Sequence, residues 1–335
     1  MFTKSEKTKK IIAWTLIGVL AAYSVIATLG FDRAKKQAEE LSAKVTELEE
    51  TLSAKQLELE EAKKYTAPSI SFSSEETVQG DILSVRVDMN SEKGKAEPEI
   101  STDLGAPVFI ADTDGSYVAF VPIWYAQNPG SYEVNVTAGP VEKTKFIKVS
   151  KYNFGEQHMT MSSETAQSTI GADNANEDYN QKVKATFTVA DEQKYWTEPF
   201  IRPVEGRVST EFGLYRYTTY TGGGSRTTRH TGIDLAVPEG TPVPASNTGR
   251  VIFAGEVIMT GNTIVLEHGG GLRTYYFHLS EIDCKEGDMV ERGEIIGKVG
   301  TTGYSTGAHL HFELKIGAYS LNPWPLFDGS SGIYK

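Results

Sequence analysis

The spacing of the apolar residues changes at Ala67-Pro68, and this change limits what the chain can fold into. Before it, residues 32–65 are rich in Ala, Glu, Lys and Leu and contain no Gly or Pro. After it, apolar and polar residues alternate, as around Leu83 and Val85. A helix needs a period near 3.6 residues and a strand a period of two. The sequence therefore predicts a helical N-terminal part and a β-rich remainder.

The helical segment, residues 31–65, carries the a/d pattern of a coiled coil, which Lys55 interrupts. Alanine at several of the a/d positions weakens the pattern, so two interpretations stay open. The segment is either a solvated stalk or a helix that self-associates or binds a partner in a membrane or division complex. Its apolar positions are Ala34, Ala38, Leu41, Val45, Leu48, Leu52, Leu59 and Ala62.

The rest of the chain predicts two β domains and a link between them. Residues 66–151 contain short alternating strands and turns, which predict a small immunoglobulin-like β-sandwich that acts as a spacer or interaction domain. Residues 152–199 are polar and only weakly periodic, and we expect a connector with one short helix. Residues 200–328 are dense in Gly, Val, Ile and Thr and predict an all-β domain, with a tail at 329–335. The predicted fold class is mainly β.

The N-terminus carries an uncharged run over residues 11–30, and four lysines precede it. That length spans a bilayer as a helix, and the lysines favour a cytoplasmic side for residues 1–10. A cleaved signal peptide is the alternative, but its apolar region is usually only about 7–15 residues long. We therefore expect a single-pass transmembrane anchor in the cell membrane. Both alternatives place the remaining chain in an extracellular or periplasmic space.

Charge and cysteine content exclude several classes of function. The net charge of -11 argues against nucleic acid as a partner, because no excess of basic residues is left to neutralise phosphates. The single cysteine, Cys284, excludes an intrachain disulfide and a cysteine-rich zinc site. We expect Cys284 to be a small core residue.

Five of the six histidines lie in the last 106 residues, where they recur at strand-like spacings. Residues two or four apart in an extended segment share a face, so three segments are predicted to present polar groups to one cleft. Imidazole and carboxylate groups suit Zn²⁺, which needs three protein ligands and one open position for catalysis. The three sets are His230 with Asp234, His309 with His311, and Thr274 with Tyr276 and His278.

These spacings resemble those of the lysostaphin/LytM-type zinc metallopeptidases, which cut peptidoglycan cross-bridges. The resemblance covers residues 200–328 and includes the upstream segment 212–216, which is followed here by a longer stretch at 221–225. It depends on three motifs, which are His230-x-x-x-Asp234, Tyr276-x-His278-Leu279 and His309-x-His311.

The resemblance implies a role for each of five residues. His230, Asp234 and His311 would bind Zn²⁺, which would polarise the scissile carbonyl and acidify water. His278 and His309 would be the catalytic pair, one taking a proton from water and the other stabilising the oxyanion. The sequence does not assign the two roles within the pair.

Three other residues near this pattern have separate interpretations. His268 is expected to be a structural turn residue, and His158 in the connector is expected to be incidental. Glu313 follows on the His311 face and has two open interpretations, as an acceptor for a ligand imidazole or as an exposed strand residue.

The function that the resemblance implies is a zinc-dependent endopeptidase. It would hydrolyse peptide bonds in peptidoglycan stem peptides or cross-bridges during cell-wall remodelling or division. The alternative is a non-catalytic, wall-binding regulator that activates another peptidoglycan hydrolase. All five expected residues are present, which favours the enzyme, although a complete site does not by itself establish a function. Which peptidoglycan bond is cut stays open.

Overall fold

The computed structural model describes residues 31–334 together with Ala13, Trp14, Ile17, Gly18 and Ala21. The predicted cytoplasmic tail, residues 1–10, and most of the predicted anchor, residues 11–30, lie outside this part of the chain. Among the described residues, no helix has the length and apolar character to cross a membrane. The chain divides into two compact units, Met1–Thr66 and Ala67–Lys335.

The first unit contains the helix α1, Phe31–Lys64, in the segment where the heptad pattern lies. Its 34 residues correspond to a length of about 50 Å. Leu48 and Leu57 on this helix are exposed, as are most of the described side chains around them. A helix of this composition gains little from packing within its own unit, so self-association stays a prediction.

The second unit is built mainly of strands, and the prediction of a mainly β chain is confirmed. Its strands are β1 Ser69–Phe72, β2 Glu76–Val78, β3 Ile82–Asp88, β4 Glu99–Thr102, β5 Phe109–Ala111, β6 Tyr117–Pro122, β7 Gly130–Ala138, β8 Val141–Ser150, β9 Glu156–Met161, β10 Arg207–Thr210, β11 Tyr215–Tyr220, β12 Ser225–Arg229, β13 Ile233–Ala236, β14 Pro242–Pro244, β15 Gly249–Val257, β16 Gly261–Glu267, β17 Leu272–Ile282, β18 Met289–Val290, β19 Ile295–Val299, β20 Leu310–Ile316 and β21 Tyr319–Leu321. Its helices are α2 Ser163–Ser168, α3 Ala175–Lys182 and α4 Trp324–Phe327, with 3₁₀ turns at Asn90–Glu92, Lys184–Thr188 and Gly332–Tyr334.

Two four-stranded sheets, β1-β3-β6-β5 and β2-β8-β7-β4, form a β-sandwich at the start of this unit. Alternate residues of β3, β7 and β8 point inward and are almost fully buried in a shared core, as Val85, Val134 and Ile147 show. The period-two pattern of the sequence follows from this arrangement, because each sheet has one buried and one exposed face.

The last part of the chain forms a large, mostly antiparallel sheet with the path β10-β13-β20-β17-β16-β15-β18. One face of this sheet packs around a core that includes Tyr276, Leu310 and Phe312, all fully buried. The opposite face carries Tyr275 and Phe277 and is covered by α3 and the following 3₁₀ turn, through residues such as Val183. Polar residues on this second face form the site described below.

The segment 152–199 contains more regular structure than the predicted connector with one short helix. It contributes β9, α2, α3 and a 3₁₀ turn, and β9 pairs in parallel with β11 to give the three-stranded sheet β12-β11-β9. The alternation in β9 places Gln157, Met159 and Met161 on one face. This face lines a polar cleft instead of an apolar core, which explains why the strand has so weak a hydrophobic signature.

The sandwich and the large sheet share a further apolar cluster and pack directly on each other. Phe120 of β6 stacks against Trp196, with 6.4 Å between the ring centroids, and Trp196 packs in turn against Phe200. The buried members of the cluster are Ile82, Ile110, Val118, Phe120, Trp196, Phe200, Leu272, Leu314, Ile316, Leu321, Leu326 and Ile333.

Candidate metal and catalytic site

Three of the predicted site residues meet at the edge of the large sheet. His230 lies in the turn between β12 and β13, while Asp234 on β13 is the direct cross-strand partner of His311 on β20. His230 Nε2 lies 3.0 Å from Asp234 Oδ1 and 3.1 Å from His311 Nδ1, and His311 Nδ1 lies 2.6 Å from Asp234 Oδ1. All three side chains are buried. The structure therefore gathers one donor atom from each of them at a single point.

The outer contacts of these residues determine which atoms are free to bind a cation. His230 Nδ1 lies 2.8 Å from the Glu211 carbonyl, which can only accept, so this nitrogen carries the proton and Nε2 carries the lone pair. His311 Nε2 donates to Glu313 Oε1 at 3.1 Å, which leaves Nδ1 for the cluster. Both imidazoles are therefore held in the tautomer that a metal ligand requires.

The third member of the cluster, Asp234, is oriented by an arginine. Its Oδ2 accepts from Arg216 Nη2 at 3.0 Å, while its Oδ1 points to the two histidines. Burial alone would raise the pKa of Asp234, but His230 and His311 outweigh it and hold that pKa well below its ordinary value. Asp234 is therefore an anion at neutral pH.

The donor set fits a zinc ion. Ligands about 2.0–2.1 Å from a tetrahedral zinc are separated from one another by roughly 3.3 Å, close to the separations of these three atoms. Two imidazoles and one carboxylate are also ligand types that suit this ion. Burial would lower the pKa of His311, but Asp234 and Glu313 raise it to about 9, so zinc would displace a proton from this ring. Small movements of the side chains would accommodate it, and Asp234 and His311 border the open cleft.

His278 reaches the same cluster because β17 does not keep its regular alternation. Between Tyr276 and Leu279 the pairing with β16 shifts by an irregularity, and His278 adopts a positive φ of 63°. The prediction that Thr274, Tyr276 and His278 face one cleft is wrong. Thr274 and Tyr276 point into the protein interior, whereas the bulge turns His278 toward His311, with 6.0 Å between the rings.

His278 and His309 lie side by side next to the cluster, with 4.8 Å between their ring centroids. His278 Nδ1 donates to the Thr302 carbonyl at 2.8 Å, and His309 Nδ1 donates to the Gly307 carbonyl at 2.8 Å. Each ring therefore turns Nε2 away from its carbonyl partner. Burial, with smaller effects of the neighbouring histidines, lowers the pKa of His278 to about 3, so this ring is neutral.

Glu313 is the first residue of a buried charged row behind His311. It is buried and not exposed, which decides between the two predicted interpretations, and it also accepts from Thr231 Oγ1. Its other oxygen pairs with Lys315 Nζ at 2.5 Å, and Lys315 donates to Ser320 Oγ at 2.8 Å. Burial would raise the pKa of Glu313, but Lys315 and His311 lower it below its usual range. Glu313 is therefore an anion beside His311.

The cluster opens into a cleft of about 330 Å³. Its walls come from β9, from β10, and from the loop 304–309. The longer stretch at 221–225 forms the turn between β11 and β12, and the Gly222 N–H donates to Ser163 Oγ at 2.6 Å next to α2. Because β9 precedes residues 200–328, the cleft is shaped in part by residues outside the region of the family resemblance.

The other singled-out residues lie away from the cluster. His268 is fully buried between the Thr248 carbonyl and the Thr274 hydroxyl, each 2.8 Å from a ring nitrogen, and burial lowers its pKa to about 4. His158 stacks on Tyr217 on the outer face of β9. Cys284 packs at the edge of the main core, and burial raises the pKa of its thiol to about 12.

Sequence reasoning missed several groups that complete the site. Arg216 donates to Asp234 and also to Gln157. Phe277 stacks on His311, with 5.3 Å between the ring centroids and nearly parallel rings. Arg216 stands in the upstream segment 212–216 of the motif comparison, but nothing in its spacing indicates a contact with Asp234. The two acceptors at Glu211 and Thr302 are backbone carbonyls, so the type of side chain at these positions does not predict them.

Comparison with known proteins gives the family of the domain that carries this cluster. Residues 228–323 match Peptidase family M23, and they include all five predicted site residues. The chain therefore contains an M23 peptidase domain of the lysostaphin/LytM type, as the sequence motifs predicted.

Similar proteins include a DD-carboxypeptidase/endopeptidase, Mpg, from Neisseria meningitidis, which is 49% identical over 94 residues. That match covers 28% of this chain and 22% of the relative. The peptidoglycan DD-endopeptidase ShyA from Vibrio cholerae is 40% identical over 116 residues, which cover 35% of this chain and 26% of that protein. The chain thus spans only about a quarter of the length of these curated relatives.

A crystal structure of a putative M23 peptidase from Pseudomonas aeruginosa shares the fold over a longer part of the chain. It is 26% identical, with a TM-score of 0.55, and the match covers 76% of this chain and 95% of that one. The similarity therefore extends beyond residues 228–323.

Proposed function

We propose that this protein is a zinc-dependent endopeptidase that hydrolyses peptide bonds in peptidoglycan stem peptides or cross-bridges. The observation that carries the proposal is the convergence of His230, Asp234 and His311 at one point, with His278 and His309 beside it. Relatives whose names include peptidoglycan DD-endopeptidase support the substrate class. A role in cell-wall remodelling follows from that substrate.

The mechanism that we propose depends on how the chain holds the two imidazoles of the pair. Bound zinc would supply Lewis acidity at the open side of the cluster. His278, which donates to the Thr302 carbonyl and stays neutral, offers an Nε2 lone pair that can accept a proton from the attacking water. His309, the more exposed ring of the pair, lines the open cleft and would stabilise the oxyanion that forms on the scissile carbonyl.

The proposal is tested with residues 67–335, which form one compact unit. Asp234→Asn and His311→Ala should lose both bound zinc and cleavage of defined muropeptides. His309→Ala should retain zinc and lose cleavage by roughly 10²–10⁴-fold, the usual contribution of a general acid or base. Zinc is measured by mass spectrometry of the purified protein, and cleavage by the masses of the products.

A control variant and two contrary outcomes complete this test. His158→Ala, which removes an exposed imidazole on the outer face of β9, should change neither quantity. Unchanged cleavage in Asp234→Asn contradicts the proposal. So does a zinc-free protein that still stimulates another peptidoglycan hydrolase, because that result supports the regulator alternative.

The proposed location is the outer side of the cell membrane, with residues 11–30 as the anchor and α1 as a stalk or partner-binding helix. The uncharged run and the preceding lysines support this placement. Protease added to intact spheroplasts should remove the peptidase domain from the full-length protein. Protection of the domain under these conditions would contradict the placement.

A further inference from the structure

The cleft beside the His230, Asp234 and His311 cluster contains one arginine that forms no ion pair with any described residue of the protein. Its charged lining residues, apart from the histidines, are Arg207, Arg216 and Asp234. Arg216 and Asp234 pair with each other at 3.0 Å, and Arg216 also donates to Gln157. Among the described lining residues other than histidine, Arg207 is therefore the one charged residue without an ion-pair partner.

Arg207 stands close to the reaction centre on the same sheet face. It begins β10 and is the cross-strand partner of Ala236 on β13, two residues from Asp234. Residues two apart on a strand share a face and are separated by roughly 6–7 Å, so the Arg207 side chain extends along the face that carries Asp234. A substrate residue next to the scissile bond would lie within its reach.

The lining residues that follow Arg207 on β10 are polar and uncharged. Arg207 itself is exposed and forms no ion pair or side-chain hydrogen bond with any residue in the described part of the chain. The neighbouring lining groups include Ser209 and Thr210 on β10, and the opposite wall is formed by Met159 and Met161 of β9. A carboxylate that binds along β10 would therefore contact the guanidinium of Arg207 without repulsion from a carboxylate among the lining residues of β10 or β9.

We infer that Arg207 is a specificity-determining residue, which binds a free carboxylate of the substrate close to the scissile bond. This inference rests on the proposed function and narrows it to carboxylate-bearing stem peptides, as opposed to uncharged peptides such as glycine bridges. A guanidinium can hold a carboxylate through two parallel hydrogen bonds, so it fixes orientation as well as charge. Arg207 acts on substrate selection and takes no part in the proton transfers.

The test uses two cross-linked peptides that are identical except that one carboxylate near the scissile bond is converted into its primary amide. The wild-type protein should cleave the carboxylate form with the higher kcat/KM. Arg207→Gln should lower kcat/KM about tenfold for the carboxylate form and leave the amide form nearly unchanged, since only the charge-paired substrate loses a partner. Arg207→Lys, which keeps the charge but not the planar fork, should fall between the two.

A matched control separates this local effect from the net charge of the protein. Lys285→Gln removes an exposed cation from the turn after β17, outside the cleft, and should alter neither substrate. Equal losses on both peptides in Arg207→Gln would overturn the inference, as would an equal preference in the wild type. If neither peptide is cut by the zinc-loaded wild type, the proposed function fails, and that outcome differs from equal cleavage of both.

Discussion

The role of each histidine in the peptidase domain follows from the partner of its second ring nitrogen. His230 has the Glu211 carbonyl on one side, which leaves a lone pair on the other side for the cluster. His268 has partners on both sides, the Thr248 carbonyl and the Thr274 hydroxyl, and has no lone pair to offer. Sequence spacing indicates which imidazoles can meet, but only these partners separate a ligand from a structural residue.

The first prediction concerns His268 and acid stability. Because burial lowers the pKa of His268 to about 4, the unfolded chain binds a proton near pH 6.5 that the folded protein does not. The contribution of His268 to the free energy of unfolding is thus complete above pH 6.5 and is lost as the pH falls to about 4. His268→Gln should destabilise the protein at pH 8, and this difference should shrink by roughly 3 kcal/mol between pH 6.5 and pH 4.

This difference is measured by urea unfolding of both proteins across the pH range. Glu267 next to His268 has its pKa raised to about 7 by burial and titrates with the opposite sign, so the wild-type curve alone does not isolate His268. Comparing the two proteins at each pH removes the contribution of Glu267. A pH-independent difference would mean that His268 titrates normally in the folded protein.

At the scale of single elements, the bulge in β17 is the feature that brings His278 beside His309, the proposed catalytic pair. Alternation along the strand predicts that His278 points to the interior with Tyr276, and the positive φ of His278 reverses this. The ring is then fixed by the Thr302 carbonyl, and Thr302 lies against Gly261 at the start of β16. A bulge depends on non-local pairing and local backbone strain, so residue type alone does not reveal it.

The second prediction tests this close approach with Gly261→Ala. A Cβ at Gly261 would lie 2.5 Å from the Thr302 carbonyl carbon, so the loop that holds His278 must shift. We expect a loss of roughly 1–2 kcal/mol from the left-handed conformation and about 1–3 kcal/mol more from the clash, with a marked fall in kcat. Chemical unfolding and muropeptide cleavage measure the two effects.

The matched control is Gly287→Ala, which has a positive φ of 93° but no neighbouring atom within 4 Å of the added Cβ. It should show only the conformational loss and should retain its activity. Equal stability and equal activity of the two variants would contradict the role of Gly261.

At the scale of the second unit, the sandwich and the peptidase domain share a buried core and form one body. The sequence predicts two β-rich regions, because their alternation and turns are local signals. It does not predict that the two regions pack on each other. Interface residues such as Phe120 and Leu314 look the same in the sequence as apolar residues that are buried within one region alone. Apolar residues of the sandwich therefore contribute to the stability of the large sheet.

The third prediction is that Phe120→Ala destabilises the whole second unit. Removing this side chain should cost about 3–5 kcal/mol, the usual range for a buried phenylalanine, and the unit should still unfold in one transition. Phe146→Ala is the control, since Phe146 lies on the same sandwich but is 62% exposed. Calorimetry that shows an early sandwich transition and an unchanged peptidase transition would contradict this prediction.

The sequence predicted some residues of the site and missed others. Asp234 and His311 meet because β13 and β20 are neighbours, and His230 and His309 lie just before these strands. His278 joins them through the bulge in β17, so the sequence selected it by the family resemblance and not by its position in a regular strand. Arg216, Glu313 and the two backbone carbonyls are placed by the tertiary fold, and β9 was obscured because its inward face meets a polar cleft.

The position of β9 has a consequence for how such proteins can diverge. One wall of the cleft is encoded upstream of residues 228–323, the stretch that matches the peptidase family. Substitutions in β9 can therefore alter which peptides fit the cleft, while every proposed metal-binding and proton-transfer group stays unchanged. A chimera that exchanges only the family stretch would combine the chemistry of one parent with part of the selectivity of the other.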